Sequence, residues 1–212
     1  MPVVYARPGY EITMQPAFSL VLNADRRRTP NDLTSRAHIQ MSNNHVTNHL
    51  EGRLTVENLV GQFNRGKWNR YISSSCPAVT GRSSFLDASG GIADTGCGID
   101  PEYKIDPDEW IKLFKNSQNF QWIGEGVLAS LSVGYSDDIR GIAYTLEITF
   151  EDYATVLAIN SENEARRRKE GDAKGWNTTS KAQKNLKIQE QTIKTLEENA
   201  AKRGDTIMNR SI

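Results

Sequence analysis

The sequence predicts a mainly β or α+β fold: an antiparallel sheet sandwich or partly open barrel with one packed helix and a C-terminal helical extension. Three observations lead there. Val127, Ala129, Leu131, Val133 and Tyr135 alternate with other residues, and so do Ile142, Tyr144, Leu146, Ile148 and Phe150. A period of two puts each set on one face of a strand, and the intervening residues 136–141 suit a hairpin connection. A capped amphipathic helix is expected just before them, and the chain ends in a polar run of helix-forming residues. The expected division is a β-rich core with long loops at 1–160 and a polar helical tail at 161–212.

In chain order, residues 12–22 carry apolar side chains at positions 12, 14, 18, 20 and 22, which reads as a strand with one buried face. Pro16 has no N–H to donate, so that strand lies at an edge or is broken there. Residues 23–48 are polar and contain Arg26, Arg27 and Arg28, a Thr29-Pro30-Asn31-Asp32 turn signal and His38 and His45. They are expected to form a long exposed loop with one short strand near 37–41. The pattern at 54–60 is equally compatible with a strand and with a short helix. Residues 71–98, rich in Ser and Gly, read as loop with short strand pieces. Asp106 is then a good N-cap with Pro107 at the first helical position, and Glu109 is placed to complete a capping box. Trp110, Leu113 and Phe114 share one face of the resulting helix, expected to run to about residue 116 and pack on the sheet.

In the tail, a helix capped by Thr179 or Ser180 is expected to reach about Lys202 before Gly204 stops it. Ala182, Leu186, Ile193, Leu196 and Ala200 form a thin heptad-like stripe, with Gln189 in its weakest slot. Such a stripe calls for docking on the chain's own body, on another copy or on a different protein, because an isolated helix of that length is marginal in water.

Composition narrows the classes. Lys plus Arg and Asp plus Glu both number 26, so the chain carries no net charge and lacks the basic excess of a phosphate-backbone binder. Residues 161–212 hold 12 basic and 8 acidic side chains, net +4, which leaves −4 on residues 1–160. Opposite charge on body and tail favours head-to-tail association or folding of the tail onto the body. Cys76 and Cys97 are too few for a disulfide framework and are expected to be buried or incidental thiols. No apolar leader or membrane-length run is present, so synthesis and residence inside the cell, or in a virion if the source is viral, is the expectation.

Candidate chemistry is thin. His45 and His49 stand four apart, as metal ligands on a helix would, with His38, Glu51 or a cysteine as a third ligand. The surrounding Asn43, Asn44, Thr47 and Asn48 form helix poorly, so hydrogen-bonding loop histidines are the expectation. Asp94-Thr95-Gly96 resembles the catalytic triplet of aspartic proteases, but Gly91-Ile92-Ala93 before it makes a thin strand. Residues 87–109 are acidic without the spacing of a calcium loop. Arg26–28 and Arg166 to Lys169 are basic runs, and Arg65, Lys67, Trp68, Arg70 and Tyr71 suggest a stacking surface for nucleic acid. No catalytic, cofactor-binding or metal site is assigned, and no cofactor is implied. The reading is therefore a structural subunit of a symmetric assembly, such as a virion or phage-tail component, whose loops at 23–48 and 73–100 and whose tail contact neighbouring copies or other structural proteins. A nucleic-acid-binding or packaging-associated module and a metal-dependent or aspartic hydrolase are the alternatives, and no membrane partner is expected.

Overall fold

Alternation of apolar side chains carries through most of the strands, and it builds a sheet with one dry face. A computed structural model of the chain describes residues 2–24, 34–46, 48–93, 95–176 and 178–209, with the side chains at 43–46, 178 and 179 excepted. Its elements are β1 (Val3–Tyr5), β2 (Ile12–Met14), β3 (Ala17–Asn23), β4 (Arg36–Val46), α1 (His49–Arg65), β5 (Asn69–Arg70), α2 (Pro107–Phe114), β6 (Gln118–Gly124), β7 (Val127–Asp138), β8 (Gly141–Asp152), α3 (Tyr153–Ala173) and α4 (Thr178–Arg203). A short 3-10 helix spans Gly81–Phe85. Six strands form one antiparallel sheet in the order β3-β4-β8-β7-β6-β5, and β1 pairs with β2 in a separate ribbon. The fold is α+β with an open sheet, not a closed barrel.

Register fixes which side chains share a face. Ile39 lies opposite Ile148, which lies opposite Leu131, which lies opposite Phe120. One row along, Met41, Leu146 and Val133 align, and on the other side Phe150, Ala129 and Trp122 do. All of these are buried beneath α1, α2 and the β1–β2 ribbon. On the other face the same strands present His38, Gln40, Glu147, Thr149, Ser130, Ser132, Asn119 and Gln121, all partly exposed. The β7–β8 hairpin is longer than expected, 12 residues in each strand, and turns through Ile139 and Arg140 alone. The β6–β7 turn needs positive φ at both central residues, which Glu125 (45°) and Gly126 (76°) supply.

The segment that sequence left between strand and helix is α1. Asn48 caps it, its Oδ1 accepting from Leu50 N and Glu51 N. Gly52, Val56, Leu59, Val60 and Phe63 recur at helical spacing and are buried. Each of the large side chains contributes roughly 1.5–3 kcal/mol relative to exposure. In α2, Asp106 caps as expected through Asp108 N, with Trp110, Leu113 and Phe114 buried. Glu109 takes a different partner from the one a capping box requires: it accepts from Arg82 Nε. The helix ends at Phe114 rather than near 116. Residues 12–22 break into β2 and β3 at the cis Gln15–Pro16 bond. The strand expected at 37–41 is the centre of an 11-residue β4. Residue 160, the expected limit of the core, lies within α3, which Asp152 caps through Thr155 N directly at the end of β8.

Helix α1 approaches the sheet most closely at Gly52. A Cβ there would sit 2.2 Å from Tyr144 Cδ2, and Tyr144 is fully buried and held by Trp110 Nε1 at 3.0 Å. Gly52→Ala is therefore expected to cost about 2 kcal/mol or more, by displacing α1 or the ring. A urea midpoint and slope equal to those of the parent chain would contradict this packing.

Candidate functional site

The most elaborated polar site lies where β5, the 71–98 segment and the C-terminus meet. Arg70 ends β5 with its side chain only 8% exposed, beside Asp100 at 9%. Its Nη1 donates to Val79 O at 2.8 Å and its Nη2 to Gly98 O at 3.2 Å, while Asp100 Oδ2 stands 3.8 Å from Nη1. Burial pulls the guanidinium below its ordinary value, and the charges of Asp100 and Glu102 oppose that pull. Asp100 is held in turn: Oδ2 accepts from Gly81 N at 2.6 Å and Oδ1 from Glu102 N at 3.1 Å. Its own N–H donates to Ser84 Oγ, which donates to Gly81 O.

Cys76 and Cys97, expected as thiols, form a disulfide around this centre. The spacing allowed it; what sequence did not show is that the ends of the loop are brought together by Arg70, Val79 and Gly98. A bridge closing a loop of this size removes unfolded-state entropy worth about 3 kcal/mol.

Onto the same centre the C-terminus docks as a strap. Asp205 Oδ2 accepts from Ser83 N at 3.0 Å. Thr80 Oγ1 accepts from Thr206 N at 3.0 Å and donates to Thr206 O at 3.1 Å, which also accepts from Thr80 N. Met208 N donates to Ala78 O at 2.7 Å, and Val79 and Ile207 form an antiparallel bridge. The preceding turns of α4 join in: Glu197 Oε1 accepts from Ala78 N, Asn199 Nδ2 donates to Ala88 O, and Arg203 Nε donates to Ser83 Oγ. Of the docking alternatives for the tail, this half takes the chain's own body.

The other half does not. Ala200 is fully buried, but Leu186 is 56% exposed in the same stripe. Helix α3, 21 residues and about 31 Å long, buries no side chain among its described residues; Leu157 and Ile159 on it are exposed. Trp176 between the helices is 62% exposed. An open groove of about 580 Å³ runs between α4 and the strap, with Leu186, Ile193, Ile207 and Met208 among its lining. The two helices thus form an arm fastened at its far end and open along its length.

The candidate chemical groups do not converge. His38 lies on the open sheet face, Nε2 3.6 Å from Glu147 Oε2. His49 lies on the covered side, at the start of α1, with Nδ1 2.9 Å from the Tyr144 hydroxyl. The same hydroxyl accepts from Trp110 Nε1, so His49, Tyr144 and Trp110 form one hydrogen-bonded chain beneath α1. His45 is in β4 rather than on the helix of His49, and its side chain lies outside the described residues. Asp94, with Arg26, Arg27 and Arg28, lies outside them too. Among the described residues no group of three or more His, Cys, Asp or Glu is placed to hold a metal.

The acidic stretch is used locally. Asp87 Oδ1 accepts from Ser89 Oγ, Ser89 N and Gly91 N, and these bonds hold its carboxyl below the usual range. The imagined stacking surface is not a surface: Trp68 is buried among Tyr5, Tyr10 and Phe63 and donates to Tyr10 O, and Arg70 is the buried cation above. On α3, Arg166 pairs with Glu170 and Arg168 with Glu164, one turn away on the same helix. Tyr71 meets Tyr153 at the root of the arm, hydroxyl to hydroxyl at 3.4 Å. Burial first, then that contact, pushes the Tyr71 phenol up to about 12.

No family model matches the chain, and comparison with curated proteins and with solved structures likewise found no match.

Two outcomes follow from this geometry. Asp100→Ala leaves Arg70 charged and buried without its carboxylate and is expected to cost about 3–5 kcal/mol in chemical denaturation. Arg70→Met with Asp100→Leu should recover much of that loss, and a neutral Asp100→Ala would remove the pair from its anchoring role. Tyr71 binds its proton more tightly folded than unfolded. The stability this contributes is therefore intact below the ordinary phenol value of about 10 and is lost as pH rises towards about 12. Tyr71→Phe should remove one late-ionising phenol from a spectrophotometric titration, and a late phase of unchanged amplitude would contradict the assignment.

Proposed function

We propose that the protein is a structural subunit of a symmetric multi-protein assembly, in which the α3–α4 arm contacts neighbouring copies. The observation that carries this reading is the arm itself. Beyond the Tyr153–Tyr71 contact and the half-buried Thr155 and Val156 at its root, this 21-residue helix packs little on its own body, and packing is the main source of helix stability in proteins. Yet its far end is anchored, through α4 and the strap, by at least six hydrogen bonds to the 78–88 segment. An element held out at both ends, carrying exposed Leu157, Ile159, Trp176, Leu186 and Ile188, suits a surface completed by another subunit. A virion or phage-tail subunit is one form such a component takes.

The described geometry does not favour the metal-dependent hydrolase alternative, since His38 and His49 lie on opposite sides of the sheet, and Asp94 of the aspartic alternative lies outside the described residues. The basic residues Arg166 and Arg168 are already matched by Glu170 and Glu164.

Light scattering of the full chain over a range of concentrations is expected to give multiples of the single-chain mass. A variant carrying Leu157→Ser, Ile159→Ser, Leu186→Ser and Ile188→Ser should lose at least part of that excess while keeping its circular dichroism. A full chain that stays monomeric at every concentration would contradict self-assembly.

A further inference from the structure

We infer that the free edge of β3 pairs antiparallel with β3 of a second copy, continuing the six-stranded sheet across a two-fold axis. This rests on the assembly reading and names one of its contacts. β3 takes hydrogen bonds from β4 on one side, and no described strand lies along its other side. The opposite edge of the sheet is blunted, because β5 is only two residues long. β3 carries neither charge nor proline along its seven residues, Ala17-Phe18-Ser19-Leu20-Val21-Leu22-Asn23. Its one irregularity, a bulge at Phe18, lies near its start and leaves residues 19–23 regular against β4.

The side chains are as uncovered as the edge. Phe18 is 65% and Leu22 59% exposed, with Leu20 and Val21 also open. Leu20 lies opposite Ile39 and Leu22 opposite Ala37, so both belong to the face that carries the core, at a rim where the covering layer stops. An edge of main-chain donors and acceptors specifies an extended strand as its occupant. A neutral row of large apolar side chains specifies that this strand be neutral and apolar as well. Among the described residues, the charged side chains beside β3 have partners across β4 and β8: Arg36 pairs with Glu151, and Glu147 lies beside His38.

β3 of a second copy meets both conditions. With the axis at Leu20, residues 19–21 of the two copies pair directly, Ser19 opposite Val21, and Phe18 lies over Leu22 of the second copy. Such a contact is self-complementary and closes after two subunits, which leaves the arm free to extend the assembly in another direction.

The test uses the full chain with the Cys76–Cys97 bridge intact. Leu20→Lys places a charge on the exposed edge without touching the buried core, and is expected to halve the mass of the assembled wild-type chain or of its repeating unit. Leu20→Cys is expected to link two chains through position 20 under mild oxidation, because the two side chains face each other across the axis. A Leu20→Lys chain with wild-type mass, together with a Leu20→Cys chain that stays unlinked, would overturn the β3 pairing while leaving the assembly reading standing. A wild-type chain that is monomeric at every concentration would overturn both.

Discussion

Arg70 is a cation taken almost wholly out of water at the end of a two-residue strand, and much of the molecule around it is arranged to make that tolerable. A charge desolvated to this degree has to be matched by an opposite charge and by hydrogen bonds, or the fold loses several kcal/mol. Asp100 supplies the charge, Val79 and Gly98 supply carbonyls, and Met208 brings its sulfur to 3.6 Å of Nη1. Those four residues come from the start of the disulfide loop, the segment that follows it, and the C-terminal strap. Matching its two terminal nitrogens, while Nε stays buried without a hydrogen-bond partner, draws together stretches that no local propensity would organise. The 3-10 helix at Gly81–Phe85 is fixed between Asp100 on one side and Asp205 on the other.

The consequence runs outward to the tail. With residues 205–208 laid against 78–83, α4 is pinned at its C-terminal end, and α3 must bridge from the end of β8 to the start of α4. That bridge explains how a helix with almost no amphipathic character persists beside a well-packed body. The sheet shows the same one-sidedness. Its covered face is continuous from Ile39 to Trp122, whereas its open face is a mosaic of hydroxyl, amide and carboxylate groups in which Gln40 Nε2 donates to Glu147 Oε1. Exposed apolar groups are found elsewhere, among them residues along β3 and on the arm, Leu50 and Leu54 on α1, and Ile139, which tips the β7–β8 hairpin. The largest sheet face is thus polar, while β3 and the arm carry apolar side chains in the open.

How much of this was legible depended on whether the responsible forces were local. Alternation at 127–135 and 142–150 gave the central hairpin, because burial of one face writes itself into the sequence with period two. Asp106 and Pro107 gave the start of α2, and Pro16 gave the break between β2 and β3, since each acts on its own backbone. Helix α1 was readable in principle from Gly52, Val56, Leu59, Val60 and Phe63, but a shorter window at 54–60 hides that spacing. β6 escaped because Gln118, Asn119 and Gln121 interrupt its apolar residues, although it is buried at alternate positions. The Arg70–Asp100 centre and the strap left no trace, because their partners are separated by 30 to more than 100 residues and each residue alone looks like an ordinary surface polar group. The cysteines belong to the same class: their pairing follows from the fold around them.

The central claim is that the C-terminus is part of the body rather than an appendage to it. Amide hydrogen exchange at Ser83, Thr206 and Met208 tests it directly, since each of these N–H groups donates across the junction. Protection at the three sites within the range of the amides between β7 and β8 is the expected result. Exchange at the rate of free peptide, with the β7–β8 amides still protected, would mean that the strap is not fastened and that the arm ends loose.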